Sequence, residues 1–464
     1  MKTKIIIFLA ALNLLLPKVN AQYAKLLDFT GVSNGKRIYG DVISDTIYHY
    51  GMTYQGGIHD SGTVFKIQPD GTGYLKLFDF GGGNGSYPHG SLYKEGSFLY
   101  GMTSSGGANN GGVIFKIKKD GTAFTKLHDF GTYNGAGNGF FPKGNLISDG
   151  TWLYGLTLQG GAASTGTLFK IKPDGSLFSV MIEFSGNTGA NPQGSLYYDG
   201  TYLYGTTQLG GANASGTLFK IKTDATGYVK LYDFDDVPNG EMPFGSLISD
   251  GTYLYGMTLQ GGTLIHGNGV IFKIKPDGSS YQLLKSFSGN ADGATAFGSL
   301  ILVGSSLYGF TSSGGPAQNG NIFKIQSDGT AYTQLYNFPA SSASVGIIPN
   351  GTPLYENGYI YGTTSYGGSN GNGVLFKYGV SVGINEFGIS NENISVYPNP
   401  STDHLFIQSS EKIKTIKCSN YIGQTVDANF ENNYIDISNL SEGIYFLNLI
   451  TLEGSNIIQK FIKE

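Results

Sequence analysis

Short segments in which apolar and polar residues alternate recur along the chain, and glycine-rich turns separate them. In one copy this alternation predicts four β-strands, at 144–147, 152–157, 167–171 and 178–184. Asp149-Gly150 joins the first two strands, and Pro173-Asp174-Gly175 joins the last two. Asp-Gly is favoured in tight hairpins whose two central residues have positive φ, so each copy is predicted to be a four-stranded antiparallel sheet.

This unit occurs seven times. Its motif is Tyr-Gly-x-Thr-x-x-Gly-Gly, followed by an apolar residue and Phe-Lys, and the motif tyrosines are Tyr50, Tyr100, Tyr154, Tyr204, Tyr255, Tyr308 and Tyr361. Four-stranded units repeated every 50 to 54 residues are typical of propeller blades. The sequence therefore predicts an all-β fold, a seven-bladed β-propeller over residues 22–380. A tyrosine in every blade is interpreted as packing between blades rather than as a sugar-binding ring.

The last copy lacks its fourth strand, and a matching strand stands near the N-terminus instead. Residues 23–29 have the sequence YAKLLDF, which resembles YLKLFDF at 74–80. We expect this N-terminal strand to complete the seventh blade, because a ring closed in this way leaves no exposed strand edges.

The order of strands predicts which face binds a ligand. If the strands of each unit are called A to D, the A–B and C–D turns share one face and the longer B–C and D–A loops share the other. Variable loops on a rigid scaffold favour binding, so we place the ligand on the loop face near the central channel. The residue before Gly-Gly varies between copies, and amide or aromatic groups there suit sugars or peptides. The candidate ligand-binding residues are Gln55, Gln159, Gln260, Tyr366, Asn213, Asp235 and Asp236.

Composition and charge exclude some functions. The 73 glycines, 32 tyrosines and 29 phenylalanines, with only 13% charged residues, exclude a helical bundle. The net charge is −4 and Arg37 is the only arginine, so the basic surface that nucleic-acid binding requires is missing. Cys418 is the only cysteine, which leaves no intramolecular disulfide, and it is interpreted as a small buried apolar residue.

Candidates for catalysis and metal binding are few. The six histidines show no metal-ligand spacing, although folding could bring His59 and His266 to the loop face. Asp235 and Asp236 lie in a D–A loop and leave calcium open, but no calcium-loop motif accompanies them. No nucleophile-elbow motif is present, so no catalytic residue, metal site or cofactor is predicted. A glycan lyase or hydrolase whose carboxylates meet only in the folded ring stays open, as does a structural adhesion protein.

The N-terminus has the pattern of a secretory signal peptide over residues 1–21. Two lysines precede an apolar run, and small residues at Val19 and Ala21 predict cleavage after Ala21. No other stretch has the length of a membrane span, and a monomer is expected.

Taken together, the repeated motif closely resembles the GloVer propeller repeat of secreted bacterial proteins, over residues 23–378. The resemblance implies the fold and export but no activity. Two copies depart from it, with Asp224-Ala225 and Asp45-Thr46 in place of Asp-Gly.

The C-terminal segment has a different pattern. The sequences VYPNPSTD at 396–403 and LSEGIY at 440–445 resemble a type IX secretion sorting domain of type A. Alternation within residues 394–464 predicts a small β-sandwich after a linker at 381–393. The resemblance implies export by the type IX machinery of a Bacteroidetes-type bacterium, removal of the domain, and release or attachment to surface lipopolysaccharide. The sequence thus predicts an exported, non-enzymatic propeller that binds an extracellular glycan or protein through its B–C and D–A loops.

Overall fold

The computed structural model describes residues 23–132, 138–341, 345–380, 394–409, 412–420, 425–426, 428–431, 434–452 and 456–464. The chain divides into two compact units with the boundary after Val380. The predicted signal peptide at 1–21 and the predicted linker at 381–393 lie outside the described residues. No helix within the described residues is both long and apolar enough to cross a membrane.

The described part of the first unit forms seven antiparallel sheets, each built mainly from one sequence repeat. Strand β1 (Tyr23–Asp28) belongs to the last of them. The first three sheets contain β2 (Ile43–Ser44), β3 (His49–Thr53), β4 (Thr63–Ile67) and β5 (Leu75–Asp79); β6 (Tyr93–Glu95), β7 (Phe98–Thr103), β8 (Val113–Lys118) and β9 (Thr125–Asp129); and β10 (Ile147–Ser148), β11 (Leu153–Thr157), β12 (Thr167–Ile171) and β13 (Ser179–Glu183).

The fourth and fifth sheets contain β14 (Tyr197–Tyr198), β15 (Tyr202–Thr207), β16 (Thr217–Lys222) and β17 (Val229–Asp233); and β18 (Glu241–Pro243), β19 (Ile248–Ser249), β20 (Leu254–Gln260), β21 (Val270–Ile274) and β22 (Gln282–Ser286). The last two contain β23 (Ile301–Val303), β24 (Ser306–Thr311), β25 (Asn321–Gln326) and β26 (Thr333–Asn337); and β27 (Gly346–Glu356), β28 (Tyr359–Gly367) and β29 (Val374–Gly379), together with β1. A 3-10 turn spans Gly82–Asn84.

The N-terminal strand closes the seventh sheet, as the sequence predicted. Strand β1 runs antiparallel to β29, with Tyr23 opposite Tyr378 and Asp28 opposite Val374. The Tyr23 ring also stacks on Tyr336 of the sixth sheet at 4.6 Å between ring centroids. The two ends of the repeat region are therefore joined by both backbone pairing and side-chain packing.

The hydrophobic core lies between neighbouring sheets. Each of seven apolar clusters draws residues from two successive sheets, and one cluster joins Phe65 of the first sheet to Tyr361 and Leu375 of the seventh. The seven motif tyrosines are buried in this core, which confirms their interpretation as packing residues. Because the seventh sheet packs against the first, the sheets form a closed ring, and the predicted all-β propeller fold is confirmed.

The structure corrects two local predictions. Strand A of the third repeat was predicted over 144–147, but β10 begins only at Ile147, because the Asn145 amide bonds a neighbouring sheet instead of strand B. In the Asp149-Gly150 turn only Gly150 has positive φ, at 86°. The Asp149 carboxylate instead accepts hydrogen bonds from the Thr151 and Trp152 amides, so its side chain rather than its backbone shapes the turn.

The second unit contains two four-stranded antiparallel sheets. Their strands are β30 (Ile394–Tyr397), β31 (His404–Ser409), β32 (Ile413–Asn420), β33 (Thr425–Val426), β34 (Asn429–Glu431), β35 (Tyr434–Asp436), β36 (Gly443–Thr451) and β37 (Asn456–Lys463). The orders are β30-β31-β35-β34 and β33-β32-β36-β37. Residues such as Leu405 and Leu447 from the two sheets share one apolar core, and Cys418 is buried in it. Burial raises the pKa of the Cys418 thiol to about 11, which keeps it protonated at neutral pH.

Candidate functional site

A ring of glycines lines the central channel of the propeller. One glycine comes from the start of each repeat, and the seven are Gly40, Gly90, Gly144, Gly194, Gly245, Gly298 and Gly351. A Cβ atom at Gly90 would lie 2.2 Å from the Gly144 carbonyl oxygen, and one at Gly298 would lie 1.9 Å from that of Gly351. Neighbouring backbones therefore approach too closely for any side chain, which explains why glycine recurs here.

The residues after these glycines form a belt of hydrogen bonds around the channel. The Asn145 amide donates to Ser195 Oγ at 2.7 Å, and the Ser195 amide donates to Ser246 Oγ at 2.9 Å. The Thr352 amide donates to Asp41 Oδ1 at 3.3 Å, so the belt also joins the last repeat to the first. Burial raises the pKa of Asp41. The belt explains why the inner strands are short, since their first amides bond across blades.

The residue before each ring glycine faces a cavity of about 420 Å³ at one mouth of the channel. These seven lining residues, one from each repeat, are Tyr39, His89, Lys143, Gln193, Phe244, Phe297 and Asn350. Gln208, Leu259, Ser365 and Tyr366, at or just after the ends of the B strands, complete much of the wall. The cavity therefore lies on the predicted loop face, and we call it the mouth cavity.

Aromatic rings line one side of the mouth cavity. The Tyr39 ring stacks on His89 at 5.0 Å between centroids and with an angle of 13°. Tyr54 packs against Tyr39 at 5.0 Å, and the Arg37 guanidinium lies 5.1 Å from the centroid of the Tyr366 ring. Burial raises the pKa of Tyr39, so this phenol is neutral at physiological pH.

Polar groups of the third and fourth repeats form another part of the wall of the mouth cavity. Lys143 Nζ donates to Gln193 Oε1 at 3.3 Å, and Gln193 in turn bonds Gln208. Burial lowers the pKa of Lys143, and no described carboxylate lies within ion-pair distance of its ammonium group. Burial, reinforced by the Lys143 charge, lowers the pKa of His89 to about 3, so His89 is a neutral imidazole at physiological pH. The residues that line the mouth cavity include a cation and several amides but no carboxylate.

The residues predicted from the sequence fall in different places. Among the four candidates before Gly-Gly, Tyr366 lines the mouth cavity. The other three have their backbones paired to the preceding D–A segment: Gln55 with Lys36, Gln159 with Phe140, and Gln260 with Glu241.

The remaining candidates hold loops together. Asn213 Nδ2 donates to the Phe234 carbonyl at 3.0 Å, as Asn109 does to Phe130 in the second repeat. Asp235 accepts a hydrogen bond from Asn239 at 3.0 Å. Asp236 instead lies beside His266 and Glu241, so the structure brings His266 to a carboxylate pair rather than to His59.

The seven residues before the ring glycines were not among the residues predicted from the sequence. The segments Lys143-Gly144-Asn145-Leu146 and Phe244-Gly245-Ser246-Leu247 show the signal, because the first position varies while the next three stay similar. Variation beside constant residues marks these positions, just as it marks the positions before Gly-Gly. Only the ring shows that these positions meet at one cavity.

These features define the class of protein: a β-propeller with an aromatic and cationic cavity at its channel mouth, followed in the chain by a two-sheet unit. The chain belongs to the Gloeobacter/Verrucomicrobia repeat family, whose repeat matches residues 16–150, 134–306 and 266–393. Residues 395–464 match the secretion system C-terminal sorting domain. This domain indicates handling by the type IX system, and therefore secretion or attachment to the cell surface.

Solved structures with a similar fold include two oligogalacturonate lyases. The one in complex with manganese has a TM-score of 0.52 and 13% identity, over 78% of this chain and 94% of that chain. The enzyme from Vibrio parahaemolyticus has a TM-score of 0.49 and 10% identity, over 79% of this chain and 95% of its own. At 13% identity the first likeness shows the fold alone. No curated protein matches the chain.

Proposed function

We propose that this exported propeller binds an anionic extracellular glycan in the mouth cavity and does not cleave it. The observation that carries the proposal is the position of Lys143, an ammonium group in a partly apolar cavity with no described carboxylate beside it. Burying a cation without a counter-ion is unfavourable, and a uronate or sulfate group on a ligand would supply the missing charge.

The rest of the wall suits a sugar. Tyr39 and Tyr366 offer aromatic faces to the apolar face of a sugar ring, and Gln193 and Asn350 offer amides to its hydroxyl groups. Each of the seven residues before the ring glycines comes from a different repeat. The wall is therefore chemically varied, although the scaffold is regular. An uneven wall on a rigid ring favours one ligand orientation.

The absence of carboxylates from the named wall argues for binding rather than hydrolysis. Glycoside hydrolysis usually needs a general acid and a second carboxylate on opposite sides of the bond. The wall residues provide no such pair.

Binding can be tested with the full mature chain by calorimetry against polygalacturonate, a sulfated glycan and a neutral glucan. We expect the acidic polymers alone to bind, and Lys143→Gln to weaken binding roughly 10- to 100-fold, as for loss of a charged hydrogen bond. Lys222→Gln, at an exposed position at the end of β16, is the matched control and should bind as the unmodified chain does. Equal binding of the neutral glucan, or unchanged binding by Lys143→Gln, would contradict the proposal. Binding of proteins but no glycan would favour a protein ligand.

A second candidate is β-elimination of an acidic glycan, favoured by the cluster of Tyr39, neutral His89 and Lys143. In this reaction a base removes the proton next to the uronate carboxyl group, a carbon–carbon double bond forms, and the glycosidic oxygen leaves with a proton. The neutral His89 imidazole has a free lone pair that can accept this proton, and a nearby cation stabilises the carboxyl group as charge moves onto it. Absorbance of the new double bond, measured with the same polymers, distinguishes this candidate. Its growth with time would replace binding by lyase activity.

A further inference from the structure

The side chains of Asp236, Glu241 and His266 lie close together beside the fifth sheet. None of them is among the residues that line the mouth cavity. His266 Nδ1 lies 2.6 Å from Glu241 Oε1 and 3.7 Å from Asp236 Oδ2. One possible ligand atom from each of the three residues lies within 4.8 Å of the others. An imidazole nitrogen and two carboxylate oxygens therefore lie close to one another.

Each of these residues departs from the repeat. Glu241 pairs with Gln260 in the position that Lys36, Ser86, Phe140, Ala190, Ala294 and Ile347 occupy in the other repeats, so it is the only acid among the seven. Asp236 has φ of 67° where four equivalent positions carry glycine, at Gly31, Gly82, Gly186 and Gly289, and the seventh repeat carries the apolar Val345. Each of these positions accepts the amide of the second glycine of the Gly-Gly pair.

The third departure from the repeat is the length of the loop that contains His266. Six residues, 263–268, separate the Gly-Gly pair from the next motif glycine in the fifth repeat, whereas four separate them in each of the other six. This longer B–C loop carries His266 to the two carboxylates. Packing of the ring requires none of the three changes, because the other repeats pack without them. A shared binding site explains why the three changes occur at one place. Unrelated changes would be spread over the ring.

Within the described residues, no lysine or arginine compensates the charges of these two carboxylates. The Glu241 side chain is only 7% exposed, and His266 is the only group among the described residues that hydrogen-bonds its carboxylate. The Asp236 carboxylate accepts the His266 amide at 3.0 Å but forms no ion pair with a lysine or arginine in the described chain. A buried carboxylate beside a second one attracts a cation, and the hydrogen bond that Glu241 accepts from His266 also raises the pKa of His266.

We propose that Asp236, Glu241 and His266 bind one divalent transition-metal ion of the Zn²⁺ or Mn²⁺ kind. One imidazole and two carboxylates suit these ions better than Ca²⁺, which takes oxygen ligands. His266 is 70% exposed, so solvent or a ligand can reach the remaining coordination positions. The ion fastens the longer B–C loop to the D–A segment that leads, three residues after Glu241, to Phe244 in the mouth cavity.

The test is metal binding by the chelator-treated full mature chain, measured by calorimetry with Zn²⁺, Mn²⁺ and Ca²⁺ separately. We expect one saturable site for Zn²⁺ or Mn²⁺, and a loss of affinity of at least about 10-fold in Glu241→Gln and in His266→Ala. His59→Ala, which removes an exposed histidine from the B–C loop of the first repeat, is the matched control and should bind normally.

The outcome does not depend on glycan binding, because Lys143→Gln should keep the metal site. Thermal unfolding in the presence of chelator checks that Glu241→Gln still folds, and addition of the metal should raise the melting temperature of the unmodified chain but not that of Glu241→Gln. Absence of a saturable site would overturn the proposal, as would equal weakening by His59→Ala. Binding of Ca²⁺ that survives His266→Ala would assign the two carboxylates to another ion and would also overturn it.

Discussion

Comparison of single positions between repeats shows which residues the backbone of the repeat accepts. In the C–D turns a glycine at positive φ recurs, including Gly71 at 94° and Gly175 at 92°. The fourth repeat has Ala225 there, and its φ of 71° places a side chain in the left-handed region. The departure from Asp-Gly was visible in the sequence, but the strain at Ala225 was not, because strain depends on the backbone that the neighbouring strands impose.

Ala225→Gly should therefore stabilise the protein. Relief of the left-handed strain exceeds the extra chain entropy of glycine, and we expect a gain of about 0.5–1 kcal/mol in the free energy of unfolding. Urea denaturation of the full chain measures it. Gly175→Ala, the reverse change at the equivalent position, should destabilise, and a loss of stability in Ala225→Gly would show that the turn is not strained.

At the scale of secondary-structure elements, most of the predicted strands agree with the observed ones. Strand B and strand C of the third repeat match their predicted cores, since alternation and the Phe-Lys motif determine them locally. Strand A was predicted too long, because its first amides bond the next blade through residues such as Ser195. The N-terminal strand was predicted by its likeness to 74–80, and β1 does pair with β29.

The role of this closing strand can be measured through Phe29, which is fully buried and packs against Phe65 at 5.7 Å between centroids. Phe29→Ala should lower the free energy of unfolding by about 3–5 kcal/mol, as for other large core truncations. Phe80→Ala is the matched control, because Phe80 packs against Phe115 at 5.1 Å at the next interface. A cost for Phe29→Ala far below that for Phe80→Ala would mean that the ring does not depend on its N-terminal strand.

At the scale of the whole molecule, the ring brings residues from all seven repeats to one cavity. His89 is an example, since it lies between rings of the first repeat and close to Lys143 of the third. This environment exists only in the folded ring, where burial and the Lys143 charge lower the pKa of His89 and keep its imidazole neutral. Its pKa of about 3, against 6.5 in the unfolded chain, makes the stability of the propeller depend on pH.

We expect stability to fall as the pH is lowered from about 6.5 towards 3. In this window the unfolded chain binds a proton on His89 and the folded chain does not, so the free energy of unfolding decreases by up to about 1.4 kcal/mol per pH unit. Above pH 6.5 neither state binds this proton and the effect vanishes. His89→Phe, which keeps a ring for Tyr39 to stack on, should reduce the slope between pH 6.5 and 4.5. Parallel curves for the two proteins in urea denaturation would refute the assignment.

The sequence by itself determined the repeat, the four strands of each unit, the closing N-terminal strand and the likeness to a secretion sorting domain. These follow from local alternation, turn residues and self-similarity, which act within about fifty residues. Tertiary structure alone decided the site. Residues such as Tyr39, Lys143 and Phe244 lie far apart in sequence and meet because a closed ring turns one position of each repeat towards one channel. The meeting of Asp236, Glu241 and His266 depends in the same way on a loop length that becomes meaningful only when the loop folds back onto the preceding segment.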